Sequence, residues 1–505
     1  MIAVPLDEVA AACGGRLEAG DPGALASGVV IDSRAVTPGD LFFGLRGESA
    51  DGGDFAGAAL GAGAAAAVLT PRAASSLRAG APRIVVDDPL RALGALAAAV
   101  RRRSGAAVVA VTGSAGKTST KDILAALLAP VARVVATSGN HNNEIGVPLT
   151  VFDLEPDTEV LVCELAMRGR GQIAELAAMV KPDVGVITNI APVHLELVGT
   201  IEEVAAAKAE IIAEVGKGAL VVPADEVLLE PHLRYHTGRL VTFGAEGADV
   251  CVAEAQTRGF GTHALIDAFG RRAAFDFNFG GGHYLQDALA AIGAFIALGY
   301  NLEEAKPGAA AVEFSALRGR LADLPDGGLL LNDAYNANPL SMKAAIDHLC
   351  QVAGERPRVA VLGDMFELGA GAAAFHREVG RHADARGVRV LAVGALARDY
   401  LTTPGGVWYP TVEECLAALP GAIAPGSAVL VKASRALRIE RVAEAILKPP
   451  GPGTSGPSTS GPSTSGPSAS GSGPATTPAP GPDDVPAAGA AGSDAPPTPG
   501  PDGAR

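Results

Sequence analysis

Continuous apolar runs alternate with helical patterns through the middle of the chain. Three such runs lie at 106–113, 159–166 and 183–190. Runs without polar alternation are typical of strands covered on both faces, so they predict a parallel sheet flanked by helices. A second series of similar runs begins near residue 311 and predicts a second doubly wound domain. Two such domains usually leave a ligand cleft between them.

The pattern changes towards both ends of the chain. Before residue 104, short strand candidates are separated by Gly, Pro and Asp turns, and a helical stretch follows at 90–103. From residue 454, "TSGPS" occurs three times in succession, and the tail has almost no apolar surface to bury. We therefore predict an α/β protein with a small N-terminal domain at 1–103, a central parallel-sheet domain at 104–310, a C-terminal Rossmann-like domain at 311–448 and a disordered tail at 449–505.

Composition narrows the function classes. The formal net charge of −15 argues against a nucleic-acid partner, because binding to a phosphate backbone needs a basic face. The five cysteines are scattered without a CxxC spacing, which is typical of a reduced compartment and predicts neither disulfides nor a zinc site. The N-terminal segment resembles no signal peptide, and no long uncharged apolar run predicts a membrane helix. We expect a cytoplasmic enzyme or nucleotide-dependent switch.

A glycine turn between a predicted strand and a predicted helix carries the clearest chemistry. The general phosphate-loop pattern is G-x-x-x-x-G-K-[ST], and Val111 stands where its first glycine would be. Backbone N–H groups of the remaining turn can still cradle phosphate oxygens, Lys117 can bridge the β- and γ-phosphates of ATP, and the Thr118 hydroxyl can bind Mg²⁺. The alternative is a structural turn with a surface lysine. The candidate loop comprises Gly113, Ser114, Ala115, Gly116, Lys117, Thr118 and Ser119.

Two further polar residues follow predicted strands of the central domain. Glu164 ends one strand, where a carboxylate is well placed for a hard cation, although it can equally be an ordinary charge at a strand end. His194 follows another strand, and a lone histidine is more often structural than a metal ligand.

Lys208 lies on the apolar stripe of a predicted helix at 200–215. The simplest interpretation is a lysine whose charged end reaches solvent. The alternative uses desolvation, which lowers the pKa of a lysine, so that the neutral amine can react with CO₂ to give an anionic carbamate that helps to bind a metal.

Taken together, these stretches resemble the Mur ligase family of ATP-dependent amide-forming enzymes, which build the peptidoglycan stem peptide. The resemblance covers about residues 25–445 and rests on "TGSAGKTSTK", "TSGNHNNEIGVPLT", the Glu164 strand, "TNIAPVHLE" and "AKAEI", in that order. "NDAYNANPLSM" at 332–342 and "LGDMFELG" at 362–369 are similar to the branch that adds D-alanyl-D-alanine to UDP-N-acetylmuramoyl-tripeptide.

The resemblance implies ATP and Mg²⁺ as cofactors and an acyl-phosphate intermediate. It implies catalytic roles for Lys117, His194 and a carbamylated Lys208, and metal binding by Thr118, Glu164, His194 and Lys208. It also implies that Asp32, Ser33 and Arg34 bind the uridine end of the substrate and that Asn142 and Asn143 face the substrate. Further ATP contacts are implied for His283, Asp287, Arg320, Asp333, Tyr335 and Asn336.

The chain departs from the family pattern at some of these positions. Tyr284 follows His283 and Asp287 stands where asparagine is usual, while Gly53, Ala166 and Ala433 replace other frequent residues. The alternatives are a sister ligase or folylpolyglutamate-type synthase that adds one amino acid, and an ATP-binding switch without ligation. We expect small-molecule substrates, no nucleic acid, no membrane embedding and a monomer. The sequence does not distinguish lysine from diaminopimelate in the tripeptide.

Overall fold

The structure is a computed structural model that describes residues 1–402 and 405–448. The predicted disorder of 449–505 lies outside the described residues. Within the described residues, no helix combines the length and the apolar character needed to cross a bilayer.

The N-terminal region is built on a mostly parallel sheet with the strand order β2-β7-β6-β5-β4, in which β2 is antiparallel to β7. A separate antiparallel pair joins β1 to β3. The strands are β1 (Val4–Pro5), β2 (Arg16–Glu18), β3 (Leu25–Ala26), β4 (Gly28–Val30), β5 (Asp40–Phe43), β6 (Ala66–Leu69) and β7 (Arg83–Val85). The helices are α1 (Leu6–Ala12), α2 (Ala56–Gly61), α3 (Pro71–Ser75) and α4 (Pro89–Arg103), with a 3₁₀ turn at Gly52–Phe55.

The central sheet has the order β16-β15-β14-β13-β12-β11-β8-β10-β9, parallel from β9 to β14 and antiparallel in its last two pairings. Its strands are β8 (Ala107–Thr112), β9 (Val134–Ala136), β10 (Val160–Glu164), β11 (Val184–Ile187), β12 (Ala219–Pro223), β13 (Arg239–Gly244), β14 (Val250–Arg258), β15 (Gly261–Ala268) and β16 (Arg271–Phe277). The helices are α5 (Lys117–Leu128), α6 (Gly146–Phe152), α7 (Gln172–Val180), α8 (Leu195–Val198), α9 (Ile201–Ala209), α10 (Ile211–Val215), α11 (Glu230–Leu233), α12 (Gly282–Ala297) and α13 (Lys306–Ala309), with a 3₁₀ turn at Leu302–Ala305.

The C-terminal sheet has the order β17-β18-β22-β19-β20-β21, and β17 is its antiparallel edge strand. Its strands are β17 (Arg320–Asp323), β18 (Leu329–Asn332), β19 (Arg358–Gly363), β20 (Arg389–Val393), β21 (Val407–Tyr409) and β22 (Ala428–Lys432). The helices are α14 (Pro339–Ala353), α15 (Ala372–Ala385), α16 (Val412–Ala422) and α17 (Glu440–Leu447), with 3₁₀ turns at Gly369–Gly371, Ala397–Tyr400 and Arg435–Leu437.

The predicted parallel strands are confirmed. The residues of β8, β10 and β11 are almost all buried, because helices cover both faces of this part of the sheet. These strands are neighbours in the order β10-β8-β11, so the loops that follow them meet at one edge of the sheet. The antiparallel strands β14 to β16 were not predicted from the sequence.

Candidate active site

The turn after β8 requires both of its glycines. Gly113 has φ +146° and Gly116 has φ +79°, which are backbone conformations that side chains rarely allow. A Cβ at Gly113 would lie 1.9 Å from Oγ1 of Thr188, and a Cβ at Gly116 would lie 2.2 Å from Oδ1 of Asp287. Helix α5 begins at Lys117, so the unpaired N–H groups of its first turn and the positive end of its dipole lie at this glycine turn. The geometry is that of a phosphate cradle.

The segment after β11 holds the glycine turn in place. The Asn189 side chain accepts a hydrogen bond from the Ala115 N–H at 2.9 Å and donates one to the Ala115 carbonyl at 3.0 Å. The Ser114 hydroxyl exchanges hydrogen bonds with the backbone of Ala191. Asn189 was not assigned a role from the sequence, and its position at the end of a buried strand was the available signal.

Lys117 and Lys208 lie close enough to influence each other electrostatically. The ammonium of Lys117 donates to the Gly113 carbonyl at 2.9 Å. Burial lowers the pKa of Lys117, while Glu164 opposes this effect. The pKa of Lys208 lies well below its ordinary value, mainly because the residue is buried and secondly because of the charge of Lys117.

Lys208 is 1% exposed, and among the described residues its amine has neither a hydrogen bond nor an ion pair. The helical stripe is confirmed, since Val204, Ile211 and Val215 are buried with it. The predicted helix is nevertheless divided after Ala209, between α9 and α10. The side chain of Glu210, at this break, accepts hydrogen bonds from the backbone N–H groups at the start of α7.

Glu164 is the carboxylate at the centre of the site and is 1% exposed. Its Oε2 accepts the Thr118 hydroxyl at 2.7 Å, and its Oε1 accepts the Asn142 amide at 2.8 Å. Asn142 is therefore joined to the carboxylate beside the phosphate turn, and its role towards the substrate stays a prediction. The side-chain Oδ1 of Asn143 instead accepts hydrogen bonds from the N–H groups of Ile145 and Gly146 at the start of α6.

The C-terminal region reaches the phosphate loop through two side chains. Nη2 of Arg318 donates to the Thr118 hydroxyl at 2.9 Å, and its guanidinium lies 3.9 Å from the centre of the Tyr335 ring. The amide of Asn338 donates to the Ser114 carbonyl at 3.4 Å. Arg320, the arginine assigned from the resemblance, is exposed at the start of β17. Arg318 was not assigned from the sequence, which does not show which of two arginines spaced by one residue faces the loop.

A buried lysine fixes the segment that contains Asp333 and Asn336. The Lys432 ammonium donates to Oδ2 of Asp333 at 2.6 Å and to the Asn336 carbonyl at 2.8 Å. Burial lowers the pKa of Lys432, while the facing Asp333 opposes that shift. Oδ1 of Asp333 accepts the Gly319 N–H at 3.3 Å, so this carboxylate is held from two sides.

An aromatic cluster lies at the start of α12. The rings of His283 and Tyr284 are 4.0 Å apart, and Tyr284 stacks on Phe314 at 4.5 Å. His348 of α14 approaches His283 at 5.7 Å. Burial lowers the pKa of His283 to about 3 and that of His348 to about 4, so both rings are neutral at pH 7. Burial also raises the pKa of Asp287 well above its ordinary value.

His194 pairs with a residue of the C-terminal region. Its Nδ1 lies 2.5 Å from Oε2 of Glu367, a residue that was not assigned from the sequence. The hydrogen bond from His194 is the largest cause of a lowered pKa at Glu367, and the charge of Arg168 acts in the same direction. The loop containing 362–369 thus contacts the central region directly.

The predicted uridine loop has a different character. Arg34 binds the carboxylate of Asp32 through its side chain and its backbone N–H, with Nη2 2.6 Å from Oδ2. The hydrogen bond from Arg34 lowers the pKa of Asp32. Most of the Arg34 side chain is exposed. Ser33 is half-buried beside this pair, and among the described residues no hydrogen bond joins this loop to the phosphate turn.

The residues present fit a nucleotide with a divalent cation. The glycine turn and the start of α5 suit phosphate, and Glu164 and Thr118 offer hard oxygen donors beside it. Within 1–402 and 405–448, no cluster of three or more His, Cys, Asp or Glu side chains could hold a metal ion by itself. Such a poor donor set suits Mg²⁺, which is usually bound by one or two carboxylates together with substrate phosphates.

Comparisons with known proteins agree with this architecture. The profile described as "Mur ligase family, catalytic domain" matches residues 26–101, "Mur ligase middle domain" matches 111–295, and "Mur ligase, glutamate ligase domain" matches 319–435. A relative from Synechocystis, UDP-N-acetylmuramoyl-tripeptide--D-alanyl-D-alanine ligase, is 36% identical over 429 residues, which cover 83% of this chain and 91% of the relative.

Two solved structures extend the comparison to three dimensions. MurF from Acinetobacter baumannii matches with a TM-score of 0.81 and 29% identity, covering 88% of this chain and 99% of the other. MurF from Thermotoga maritima, solved in complex with ADP, matches with a TM-score of 0.75 and 29% identity, covering 83% and 97% respectively. With matching profiles in all three sheet regions and a relative of this identity along most of its length, the chain belongs to the Mur ligase family.

Proposed function

We propose that the chain is an ATP-dependent ligase that joins D-alanyl-D-alanine to UDP-N-acetylmuramoyl-tripeptide, with release of ADP and phosphate. The observation that carries this proposal is the cluster of half-buried Lys117 with buried Thr118 and Glu164 at the phosphate turn, which Arg318 and Asn338 reach from the next domain. The activity of the Synechocystis relative and of the MurF structures, as their names state it, supports the substrate class.

The reaction needs activation of the terminal carboxylate of the tripeptide, because oxide is too poor a leaving group for direct amide formation. A carboxylate oxygen attacks the γ-phosphorus of ATP, the bond from that phosphorus to the β–γ bridging oxygen breaks, and ADP leaves. The amine of D-alanyl-D-alanine then attacks the acyl phosphate. The tetrahedral intermediate expels phosphate, and the amine loses a proton to give the amide.

The residues of the chain position charge for this transfer. Lys117, at the start of α5, neutralises charge on the β- and γ-phosphates, and Arg318 brings a second cation to the same hydroxyl that binds Glu164. Thr118, Glu164 and His194 would hold Mg²⁺, which shields the phosphates when it is bound. Asn338 contacts the turn from the C-terminal domain, so domain closure completes the site.

We assign a carbamate to Lys208. A lowered pKa increases the fraction of the Lys208 amine that is neutral, and the free amine adds to CO₂ to give a carbamate and a proton. The carbamate is an anion, so it would replace the repulsion from Lys117 by an attraction and would supply an oxygen ligand for the metal. The intact mass of protein kept in bicarbonate should exceed the mass of acid-treated protein by one CO₂, and a Lys208→Met variant should show no such increase.

The substrate contacts are proposed from the family resemblance. Asp32, Ser33 and Arg34 would bind the uridine nucleotide, and Asn142 and Asn143 would face the tripeptide. His283, Asp287, Asp333, Tyr335 and Asn336 would line the ATP side, and Arg320 stays in this set as a prediction. We further propose that the enzyme acts as a cytoplasmic monomer, which sedimentation of the purified protein tests for its oligomeric state.

Phosphate release from ATP tests the proposal directly. Purified protein should release phosphate only when UDP-N-acetylmuramoyl-tripeptide and D-alanyl-D-alanine are both present, and a product with the mass of the pentapeptide should accumulate. Release with a single amino acid in place of the dipeptide would assign the chain to a sister activity. Binding of ADP without release under any condition would favour a nucleotide-dependent switch. Paired assays with lysine-containing and diaminopimelate-containing tripeptides would identify the third residue.

A further inference from the structure

The contact between His194 and Glu367 joins two domains of the protein. His194 is the residue before α8 and follows Ala191, whose backbone hydrogen-bonds Ser114 of the phosphate turn, by three residues. Glu367 lies in the loop after β19 of the C-terminal sheet. Nδ1 of the histidine meets the carboxylate, and among the described residues Nε2 has no hydrogen-bond partner. A carboxylate accepts hydrogen bonds only, so the proton of the neutral ring lies on Nδ1 and the lone pair lies on Nε2.

Both residues are held in specific backbone conformations. His194 has φ +54° and Glu367 has φ +63°, a region that residues with side chains occupy only when their surroundings require it. The Glu196 N–H donates to the Glu367 carbonyl at 3.3 Å, so a backbone contact accompanies the side-chain contact.

The C-terminal domain anchors this loop on its other side. The Phe366 N–H donates to the Ser434 hydroxyl at 3.0 Å, and the Met365 N–H donates to Nε2 of the fully buried His376 at 3.1 Å. Glu367 is therefore not a freely moving surface carboxylate. It is presented to His194 by a loop that belongs to the other domain.

We propose that Glu367 is a positioning residue for the ligation reaction, acting through His194. By holding the proton on Nδ1, it leaves Nε2 as the ring nitrogen that can bind a divalent cation at the nucleotide site. Because the two residues belong to different domains, the histidine is oriented only while the domains are closed, which links cation binding to closure. The proposal rests on the proposed function for the role of His194.

Manganese binding in the absence of turnover tests the proposal. Mn²⁺ is titrated into protein saturated with ADP, and free Mn²⁺ is measured from its electron paramagnetic resonance signal. We expect Glu367→Ala to weaken Mn²⁺ binding about 10-fold, the loss typical of removing a carboxylate that orients a ligating histidine. Glu367→Gln should lose less, because its amide oxygen can still accept a hydrogen bond from the Nδ1–H group. His194→Ala should lose at least as much as Glu367→Ala.

A matched control separates this role from the loss of any surface ion pair. Glu378 is similarly exposed and pairs with Lys343 at 2.6 Å within the C-terminal domain, so Glu378→Ala should leave Mn²⁺ affinity unchanged. Hydrogen exchange adds a second measurement, since Glu367→Ala should speed exchange of the Glu196 amide and Glu378→Ala should not.

The outcomes distinguish this inference from the proposed function. Unchanged Mn²⁺ affinity in Glu367→Ala, with a folded protein and a weakened His194→Ala, would overturn the role of Glu367. Unchanged affinity in both variants, while the wild type still makes the pentapeptide, would overturn the inference and leave the ligase assignment intact. If Glu367→Ala does not fold, the comparison of Glu367→Gln with wild type decides.

Discussion

The phosphate turn of the central domain and the Asp32–Arg34 loop of the N-terminal domain show opposite ways of building a site. At the phosphate turn, Glu164 is buried and hydrogen-bonded, and burial shifts the pKa of Lys117. At the N-terminal loop, an exposed arginine pairs with an aspartate two residues away. The first arrangement fixes charge before any ligand arrives. The second keeps an exposed pair whose hydrogen bonds a ligand can replace.

The difference indicates that the phosphate turn serves the chemical step and that the Asp32–Arg34 loop serves substrate recognition. A buried charge acts strongly because little water screens it, whereas an exposed ion pair is worth little by itself. We therefore expect changes at the turn to reduce kcat and changes at the Asp32–Arg34 loop to raise KM.

The largest effect should come from Lys117→Ala. Loss of the cation at the start of α5 removes stabilisation of charge that develops during phosphoryl transfer, so kcat should fall about 10²–10³-fold. Steady-state phosphate release with both substrates measures it. Lys181→Ala is the control, since this lysine of the same domain is exposed and pairs with Glu214. Equal losses in both variants would contradict the assigned role.

The paired variants Arg318→Ala and Arg320→Ala sharpen the comparison within the closed site. Arg318 contacts the Thr118 hydroxyl, whereas Arg320 is exposed. We expect Arg318→Ala to lower kcat about 10²-fold, the effect of losing one cation or donor aimed at the transferring group. Arg320→Ala should change kcat much less. The reverse order would restore the assignment made from the resemblance.

A smaller effect of another kind should follow Arg34→Ala. Loss of a charged hydrogen-bond donor weakens binding, so KM for the nucleotide substrate should rise about 10-fold. The kcat should stay near the wild-type value, because this loop does not contact the phosphate turn. Initial rates over a substrate series separate the two constants, and a fall in kcat with unchanged KM would break the comparison.

The smallest effect concerns stability in acid. His348 has a pKa of about 4 in the folded protein against 6.5 in the unfolded chain, so between these values the unfolded chain binds more protons. Stability therefore falls as the pH is lowered from 6.5 towards 4. In thermal melts, His348→Leu should lose less Tm over this window than wild type, and the half-buried His232→Leu should match wild type. Parallel losses in all three proteins would exclude His348 as a cause.

Much of the fold could be predicted because apolar runs mark strands that are covered on both faces. The strands around Val109, Val162 and Leu430 all followed this rule. The strands from Val250 to Phe277 do not follow this rule, since β14 is largely exposed, β15 alternates between buried and half-buried positions, and β16 alternates between buried and exposed ones.

The candidate site was predictable only where one sequence segment carries its own geometry. The glycine turn needs particular residues at particular positions, so Lys117 and Thr118 could be identified directly. Arg318 and Glu367 act across domains, and nothing local in the sequence shows which loop meets which. Lys208 is an intermediate case. Its helical spacing predicts that it is buried, but does not identify the neighbours that set its pKa.

The connection between the central and C-terminal domains has a consequence for dissecting the protein. Asp122 of α5 accepts hydrogen bonds from the backbone and hydroxyl of Ser315 at 2.8 and 3.1 Å and pairs with the buried Lys121. The helix that starts at the phosphate turn thus also binds the segment between the two domains. A fragment that ends at residue 310 would lack Ser315, so Asp122 would lose both of these hydrogen bonds. A fragment that ends after Ser315 would keep them, although both fragments contain the whole central sheet.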